Sequence, residues 1–360
     1  MTTTPVPVGA RPRHVAVAAR RPGRAAWLVV AGFVSLFVVL VGGIVLGSVD
    51  LAPGTTVAIL AKRLLGLDLG FTWAPTAEAI VMDLRLPRVL TAMVVGTGLA
   101  VAGCTFQGLL RNPLADPYVL GTASGAALGA AIAVILPVRG LILEFGLLHG
   151  LAFIGALASV TVVYRLSRTS PLGPLTSLLL TGYAVSSLLA AGLAMAMYLS
   201  GSGLRQIFSY LLGGFDGTSW LRLAVAAPLI LGGSLLILFR ARSLNGFLLG
   251  EEAAAHLGVD VQRERRILLA LASLVTAAGV AVAGLIGFVG LVVPHLVRLL
   301  VGPNARLVLP ISALFGAALL AAADVVARML GGVPVGVVTA VIGAPFFLLL
   351  LRHARTGYEL

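Results

Sequence analysis

The residues able to do chemistry are few, and their types point to recognition more than to catalysis. Lys62 is the only lysine in the chain. A phosphate-cradling P-loop ends in Gly-Lys-Ser/Thr, whereas Lys62 stands between Ala61 and Arg63, so an ATPase of that kind would have to be another chain. The 13 acidic residues, five histidines and lone Cys104 never stand together at metal-ligand spacing. No metal site, no cofactor and no catalytic residue is expected in this chain. Cys104 lies in an apolar run and reads as a small core residue, and His295, after Pro294, reads as an interfacial or hydrogen-bonded group. What remains is charge placed for contact. Arg85 and Arg88 flank Pro87, Arg328 follows Asp324 by four residues, and Glu251-Glu252 opens the stretch Glu-Glu-Ala-Ala-Ala-His-Leu-Gly258. The arginines suit either carboxylate partners or snorkelling to lipid headgroups, and Arg328 also suits an i,i+4 pair with Asp324.

The elements that must hold these groups are membrane spans. Of 360 residues 59% are hydrophobic and 11% charged, with a mean hydropathy of +1.08. That is too little charge to wet the surface of a soluble globule. The net charge of +12 would suggest nucleic acid in a soluble protein; in a membrane protein it is first a topology signal, and no nucleic-acid partner is expected. A basic, cytoplasmic tail over 1–26 precedes an apolar run from Trp27 to Ser48, too long for a signal-peptide core. Further apolar stretches, with at most one charge each, lie near 89–110, 117–137, 147–164, 174–199, 221–239, 267–283, 285–301, 307–327 and 334–351, each about 17–25 residues and so able to cross as a helix. The reading is therefore an all-α polytopic membrane protein with ten transmembrane helices in a 27–352 membrane domain (its longest inner loop 240–266), and a cytoplasmic tail over 353–360. Placing both termini inside puts 17 of the 25 basic residues on the inner face, leaving Lys62, Arg63, Arg85, Arg88, Arg139, Arg205, Arg222 and Arg328 outside, as the positive-inside rule requires. Trp27 and Trp220 fall at span boundaries, where indole rings anchor.

Three segments carry most of the information. In the inner loop 240–266, Ala253, Ala254 and Leu257 form an apolar face of a short helix that Gly258 ends in a left-handed cap, a shape suited to another protein's groove. The run Asn112-Pro-Leu-Ala-Asp-Pro117 is a turn, since two prolines interrupt helix and Asn and Asp satisfy nearby backbone. The span over 174–199 is long and uncharged, so Ser186, Ser187, Met195 and Met197 are candidates for an adaptable pathway lining. An internal echo also appears: Gly98-Leu-Ala-Val-Ala-Gly103 recurs as Gly279-Val-Ala-Val-Ala-Gly284, with Pro113 and Pro294 following at equal distance. It admits two five-helix inverted halves, an arrangement common in transporters. A carrier driven by protons or sodium is the rival class, but such carriers keep ionisable groups at mid-membrane, and here every Asp and Glu falls in a loop or at a span end, Asp324 being the nearest approach. A scaffold or sensor subunit would carry an extra soluble domain.

The motifs make the reading specific. Arg85-Leu-Pro-Arg88, Gln107-Gly-Leu-Leu-Arg-Asn-Pro-Leu-Ala-Asp-Pro117, Leu120-Gly-Thr-Ala-Ser-Gly125, Leu211-Leu-Gly-Gly214 with Trp220, Gly287-Phe-Val-Gly-Leu-Val-Val-Pro-His-Leu-Val-Arg298, Ala323-Asp-Val-Val-Ala-Arg328 and Pro334 through Pro345 together resemble the FecCD family, the permeases of siderophore, haem and vitamin B12 importers. The resemblance covers roughly 80–360. It implies a BtuC-like type II importer fold in the plasma (inner) membrane of a prokaryote. The implied partners are a second permease copy (a homodimer) or a paralogous permease, two ATP-binding-cassette ATPase subunits carrying ATP and Mg, and an extracytoplasmic substrate-binding protein. Glu251, Glu252, Ala253, Ala254, Leu257 and Gly258 resemble the EAA-type loop that couples such permeases to their ATPases. Arg85, Arg88 and Arg328 are implied to dock the binding protein, and Asn112 and Leu114 with Thr176 and Ser177 to form a cytoplasmic gate. The implied cargo is a metal chelate, ferric siderophore first, haem or cobalamin next.

Overall fold

The structure, a computed structural model, describes residues 22–47, 49–136, 146–168 and 174–354. Most of the basic tail, with Arg11, Arg13, Arg20 and Arg21, and the expected outer Arg139 and inner Arg355 lie outside the described residues. Every regular element described is helical. Helix α1 (Pro22–Val45) leads to α2 (Pro53–Leu65), and α3 (Pro75–Ala79) continues through a wide π-turn (Ile80–Arg85) into α4 (Leu86–Leu109). Then follow α5 (Thr122–Ile135), α6 (Leu147–Ser167), α7 (Pro174–Leu199), α8 (Leu204–Leu212) and α9 (Trp220–Phe239). Two short helices, α10 (Ala241–Leu248) and α11 (Glu251–His256), precede α12 (Val261–Ala283), α13 (Val289–Val301), α14 (Ala305–Met329) and α15 (Val335–Ala354).

Seven of the described helical runs are long and apolar enough to cross a bilayer: α1, the continuous α3–α4 run, α6, α7, α9, α12 and α14. The other three apolar runs form shorter helices, α5, α13 and the described apolar part of α15. Two of these begin late for a visible reason. The chain turns repeatedly between Leu110 and Gly121 before α5, and breaks at 284–288, with Gly284 and Phe288 both at positive φ, before α13. The two irregular segments satisfy one another. The Tyr118 hydroxyl donates to the Ile286 carbonyl at 2.9 Å and accepts from the Ile286 amide at 3.3 Å. Gln107 donates to the Leu291 carbonyl at 3.1 Å, and Arg298 reaches the Gln107 side-chain oxygen and the Cys104 carbonyl. In a bilayer such broken backbone persists only where protein groups replace water as partners.

The second span differs from its sequence reading. It begins at Pro75 rather than near 89, and its π-turn lies just ahead of Pro87. Proline offers no N–H to the Asp83 carbonyl and its ring crowds it, so the helix widens there instead of ending. Residues 53–65, which hold the expected outer Lys62 and Arg63, form the amphipathic α2, which buries Thr56, Ala58 and Ile59.

Helix α4 is the hub, packed on α14, α12, α13 and α9. Glycines set its distance from these neighbours. A Cβ at Gly103 would overlap the Gly290 carbonyl of α13, and one at Gly96 would overlap the Gly316 carbonyl of α14. The two copies of the internal echo meet here too: a Cβ at Gly98 would press on Val275 of α12, and one at Gly279 would touch Val95 and Leu99 of α4. Gly103→Ala is expected to lower stability by about 1–3 kcal/mol, the usual cost of overpacking. Gly42→Ala, helical in α1 with open space around it, is expected to be neutral or stabilising by about 0.5–1 kcal/mol. Thermal unfolding of both variants in detergent checks the contrast.

Candidate functional site

The polar groups gather at the two ends of the bundle. At one end lie the α1–α4 connection, α8, the start of α9 and the end of α14. Arg85, 5% exposed, donates at 2.8 Å to the carbonyls of Ile44 and Val45 and also to that of Val49. Arg328 donates to Gly43 at 2.9 Å and Leu46 at 3.0 Å. The last carbonyls of α1, which no intrahelical N–H can satisfy, are thus capped by two arginines from other helices. Asp324 is fully buried and lies between Arg88 at 2.8 Å and Arg328 at 3.1 Å; the latter is the i,i+4 pair anticipated from spacing. The outer side of Arg88 meets the exposed Asp216 at 2.7 Å. All three arginines singled out for docking are therefore engaged within the chain, Arg85 and Arg328 most fully.

Beside this network is a tethered hairpin. Lys62 pairs with Asp68 at 2.9 Å and lies 5.5 Å over the Trp73 ring. Glu78 takes a hydrogen bond from the Trp73 indole at 3.0 Å and an ion pair from Arg63. Lys62 and the Gly70 amide hold the Asp68 carboxyl below its ordinary range. The Trp220 indole donates to the Met82 carbonyl at 2.9 Å, so this ring ties α9 to the π-turn.

The opposite end holds α10 and α11. Leu244 and Phe247 of α10 are buried, and Gly246 admits the Ala254 side chain of α11 to van der Waals contact. Glu251 pairs with Arg265, and Arg240 with Glu264, fastening α11 to α12 and the end of α9 to α12. Asp260 caps α12 by accepting from the Arg263 amide at 3.0 Å. Gly258 has φ +80, the left-handed stop expected of it. The expected apolar face is divided, however. Ala254 is fully buried against α10, while Leu257 is 67% exposed; Ala253 is half-buried and Glu252 exposed. With a helix this short, packing against α10 consumes one side, so the free face is Glu252, Leu257 and Gly258, joined by the exposed Leu249, which its sequence context did not single out.

The proposed gate residues sit near this end. Asn112 is exposed and accepts from the Leu114 amide at 2.9 Å, closing a side-chain turn after Arg111 at φ +48. Leu114 is half-buried and Thr176 exposed, whereas Ser177 is buried and donates to the Ser167 carbonyl of α6 at 2.8 Å. Asp116 accepts from the Tyr118 amide at 2.8 Å, and burial pushes its carboxyl up to about 6. On α7 the four candidate pathway residues divide between two faces. Ser186 and Met197 are half-buried, Met197 against Ala131, Ala196 and Ile207, while Ser187 and Met195 are exposed. An open apolar groove of about 630 Å³ runs between α8 and α15, lined by Leu211, Leu212, Leu285, Val337 and Val341. Among the described residues no three of His, Cys, Asp and Glu come together.

The comparisons with known proteins agree in kind. The chain matches the FecCD transport family over residues 34–353, a wider stretch than the motifs alone covered. It is 46% identical over 301 residues to the cobalamin import system permease protein BtuC of Halobacterium salinarum, covering 83% of this chain and 79% of that one. It is 44% identical to the hemin transport system permease protein HmuU of Yersinia pestis (77% and 85% covered) and 39% identical to the Fe(3+)-citrate import system permease protein YfmD of Bacillus subtilis (79% and 85%). Among solved structures it is similar to a metal-chelate-type ABC transporter in an inward-facing conformation, with a TM-score of 0.78 and 30% identity over 91% of this chain and 99% of that one.

Two outcomes follow from this geometry. Asp324→Ala leaves Arg88 and Arg328 facing each other without their shared carboxylate, so a loss of about 3–5 kcal/mol is expected; Lys62→Ala, at an exposed pair, should cost under about 1 kcal/mol. Denaturation in detergent separates them. For Asp116 the folded carboxyl titrates near 6 against an ordinary 3.8, so the folded state binds the proton more tightly. Its contribution to stability therefore falls as pH rises from about 4 to 6 and is flat above. Asp116→Asn keeps the acceptor for Tyr118 and should stabilise by about 3 kcal/mol above pH 6 and not at all below pH 4, as thermal unfolding across that range would show.

Proposed function

The chain belongs to the FecCD transport family, and from that premise we propose that it forms the translocation pathway of an ATP-driven importer for a metal chelate. It is a multi-pass membrane permease of the ABC importer class. On our reading the α10–α11 end faces the cytoplasm with both termini, and carries a partner ATPase on the exposed Leu249, Glu252, Leu257 and Gly258. The Arg88 end faces outward and receives a substrate-binding protein. A second permease copy completes the pathway, with the α8–α15 groove and the exposed face of α7 turned toward it, and the three short apolar helices complete a set of ten spans.

The observation that carries this reading is the division of labour in α10–α11. One side of the pair is buried into the bundle at Leu244, Phe247 and Ala254, while the other presents two leucines, each 67% exposed, next to a free carboxylate. Such a face is wasted on solvent and suits a protein groove. ATP-driven closure of two ATPases would then move the α10–α11 units and rock the helices between inward- and outward-open states. The rival, ion-coupled carrier needs an available ionisable group within the bundle. Among the described residues the carboxylate with no exposed surface, Asp324, is already neutralised by two arginines, and Asp116 stands in the turn between α4 and α5, outside the spanning helices.

For the cargo, ferric siderophore is the first expectation. A corrinoid is the second, favoured by the 46% identity to a cobalamin permease. The transporter reconstituted in liposomes with its ATPase and binding protein should accumulate one of ferric siderophore, haemin or cobalamin only when ATP is supplied. Uptake driven by a proton or sodium gradient without ATP would overturn the importer reading.

A further inference from the structure

One member of the ATPase-facing pair, α10, is joined to the start of α14 by a polar contact that both helices share. Asn245 of α10 donates through its side-chain amide to the Asn304 side-chain oxygen at 2.8 Å, and its own side-chain oxygen accepts from the Ala305 amide at 2.7 Å. The same Asn304 oxygen accepts from the Arg306 amide at 3.1 Å, so it is the N-cap of α14. Helix starts leave their first amides without intrahelical partners, and a single cap residue ordinarily serves them alone. Here the duty is shared between two helices: Asn304 takes the Arg306 amide and Asn245 takes the Ala305 amide. Both amide orientations are fixed by backbone donors. Sliding α10 against α14 would therefore strip a partner from the α14 terminus and from both asparagines at once.

Helix α14 is the natural recipient of force. It packs along α4, α1 and α13 and carries at its far end Asp324, bound to Arg88 and Arg328. Asn304 and Asp324 are separated by about 30 Å at 1.5 Å per residue, close to the full depth of a hydrocarbon core. We infer that Asn245 and Asn304 are positioning residues for transport: the shared cap locks α10 to α14, so that displacement of α10–α11 by a partner is delivered to the opposite end of the bundle. This rests on the proposed reading of α10–α11 as the ATPase contact.

The test uses the assembled transporter in liposomes, reading ATPase association, hydrolysis and uptake together. Asn245→Ala and Asn304→Ala should leave the ATPase bound and hydrolysing, while uptake per ATP falls about tenfold, the size of a typical coupling between sites. Asn304→Asp keeps an acceptor for both donors and should retain uptake per ATP, whereas Asn245→Asp keeps only one of its two bonds and should be intermediate. A second readout does not depend on uptake: spin labels at Ala255→Cys and Arg306→Cys, both exposed, should hold one distance through the ATP cycle, and should broaden when Asn245→Ala is added. Unchanged uptake per ATP in Asn245→Ala, an Asn304→Asp variant as damaged as Asn304→Ala, or a label distance indifferent to Asn245 would each overturn the inference. The underlying contact is tested separately by Glu252→Lys: loss of ATPase association there with intact coupling in Asn245→Ala refutes only the lock, while unchanged association in Glu252→Lys refutes the contact itself.

Discussion

In a bilayer an apolar helix gains nothing by exchanging lipid tails for leucine side chains, so a bundle is held where backbones approach closely and where polar groups find partners. In this protein that approach is concentrated on α4. Its Gly96 and Gly103 leave no room for a Cβ against the carbonyls of Gly316 and Gly290, which brings α14 and α13 into backbone contact on two sides of one helix. Everything else takes its position from this stack. The break at 284–288 can meet Tyr118 only because α13 is drawn in against α4 by Gly290, where Pro117 also packs. Arg88, on the first turn of α4, can reach Asp324 only because α14 runs alongside at glycine distance.

The polar groups follow a second rule, that a charge placed among apolar helices must be spent on something fixed. Arg85 and Arg328 cap the carbonyls that end α1, and Asp324 bridges Arg88 and Arg328. Removing any one of these leaves an orphan carbonyl or an unpaired charge, which costs more than the pair contributes when whole. Arg88 differs from the others in having one permanent, buried partner and one exposed partner, Asp216. Of the three arginines it is the one whose outer bond can be exchanged without disturbing the packing beneath.

How much of this is legible from the residues alone depends on the range of the interaction. The apolar runs, the Asn112 turn, the left-handed Gly258 and the Asp324–Arg328 pair are local, and local spacing announces them. Asn304 after Gly302-Pro303 carries an N-cap signature, but its partner Asn245 lies in another helix with nothing in its own neighbourhood to mark it. The buried state of Ala254 and the exposed state of Leu249 are equally invisible, because a single turn of helix has no periodicity long enough to say which side is covered. The late starts of α5 and α13 were hidden for a different reason: hydropathy records that a segment is apolar, not whether its backbone is helical, and here tyrosine and glutamine side chains stand in for helical hydrogen bonds. The internal echo is a local pattern of glycines; that its two copies lie against each other is a property of the folded bundle alone.

These constraints also say which parts of the bundle are free to move. Helix α14 is anchored to α10 at one end and to the arginine network at the other, and between them it shares glycine contacts with α4, which ties these three helices together. Helices α1 and α7 are mostly uncovered within the single chain, with Phe37 at 68%, Tyr183 at 76% and Tyr198 at 85% exposure. For α1 the arginine caps fix the end, and beyond Arg24 the exposed residues are all apolar, as lipid demands. For α7 the exposed face mixes Thr176, Tyr183, Ser187 and Tyr198 with leucine and methionine, a composition that lipid does not reward and that a wet or variable boundary does. On the importer reading, then, α4–α10–α14 is the part that transmits, and α7, the least covered of the long apolar helices described, is the part that yields, since segments with the fewest buried contacts open at the lowest free energy.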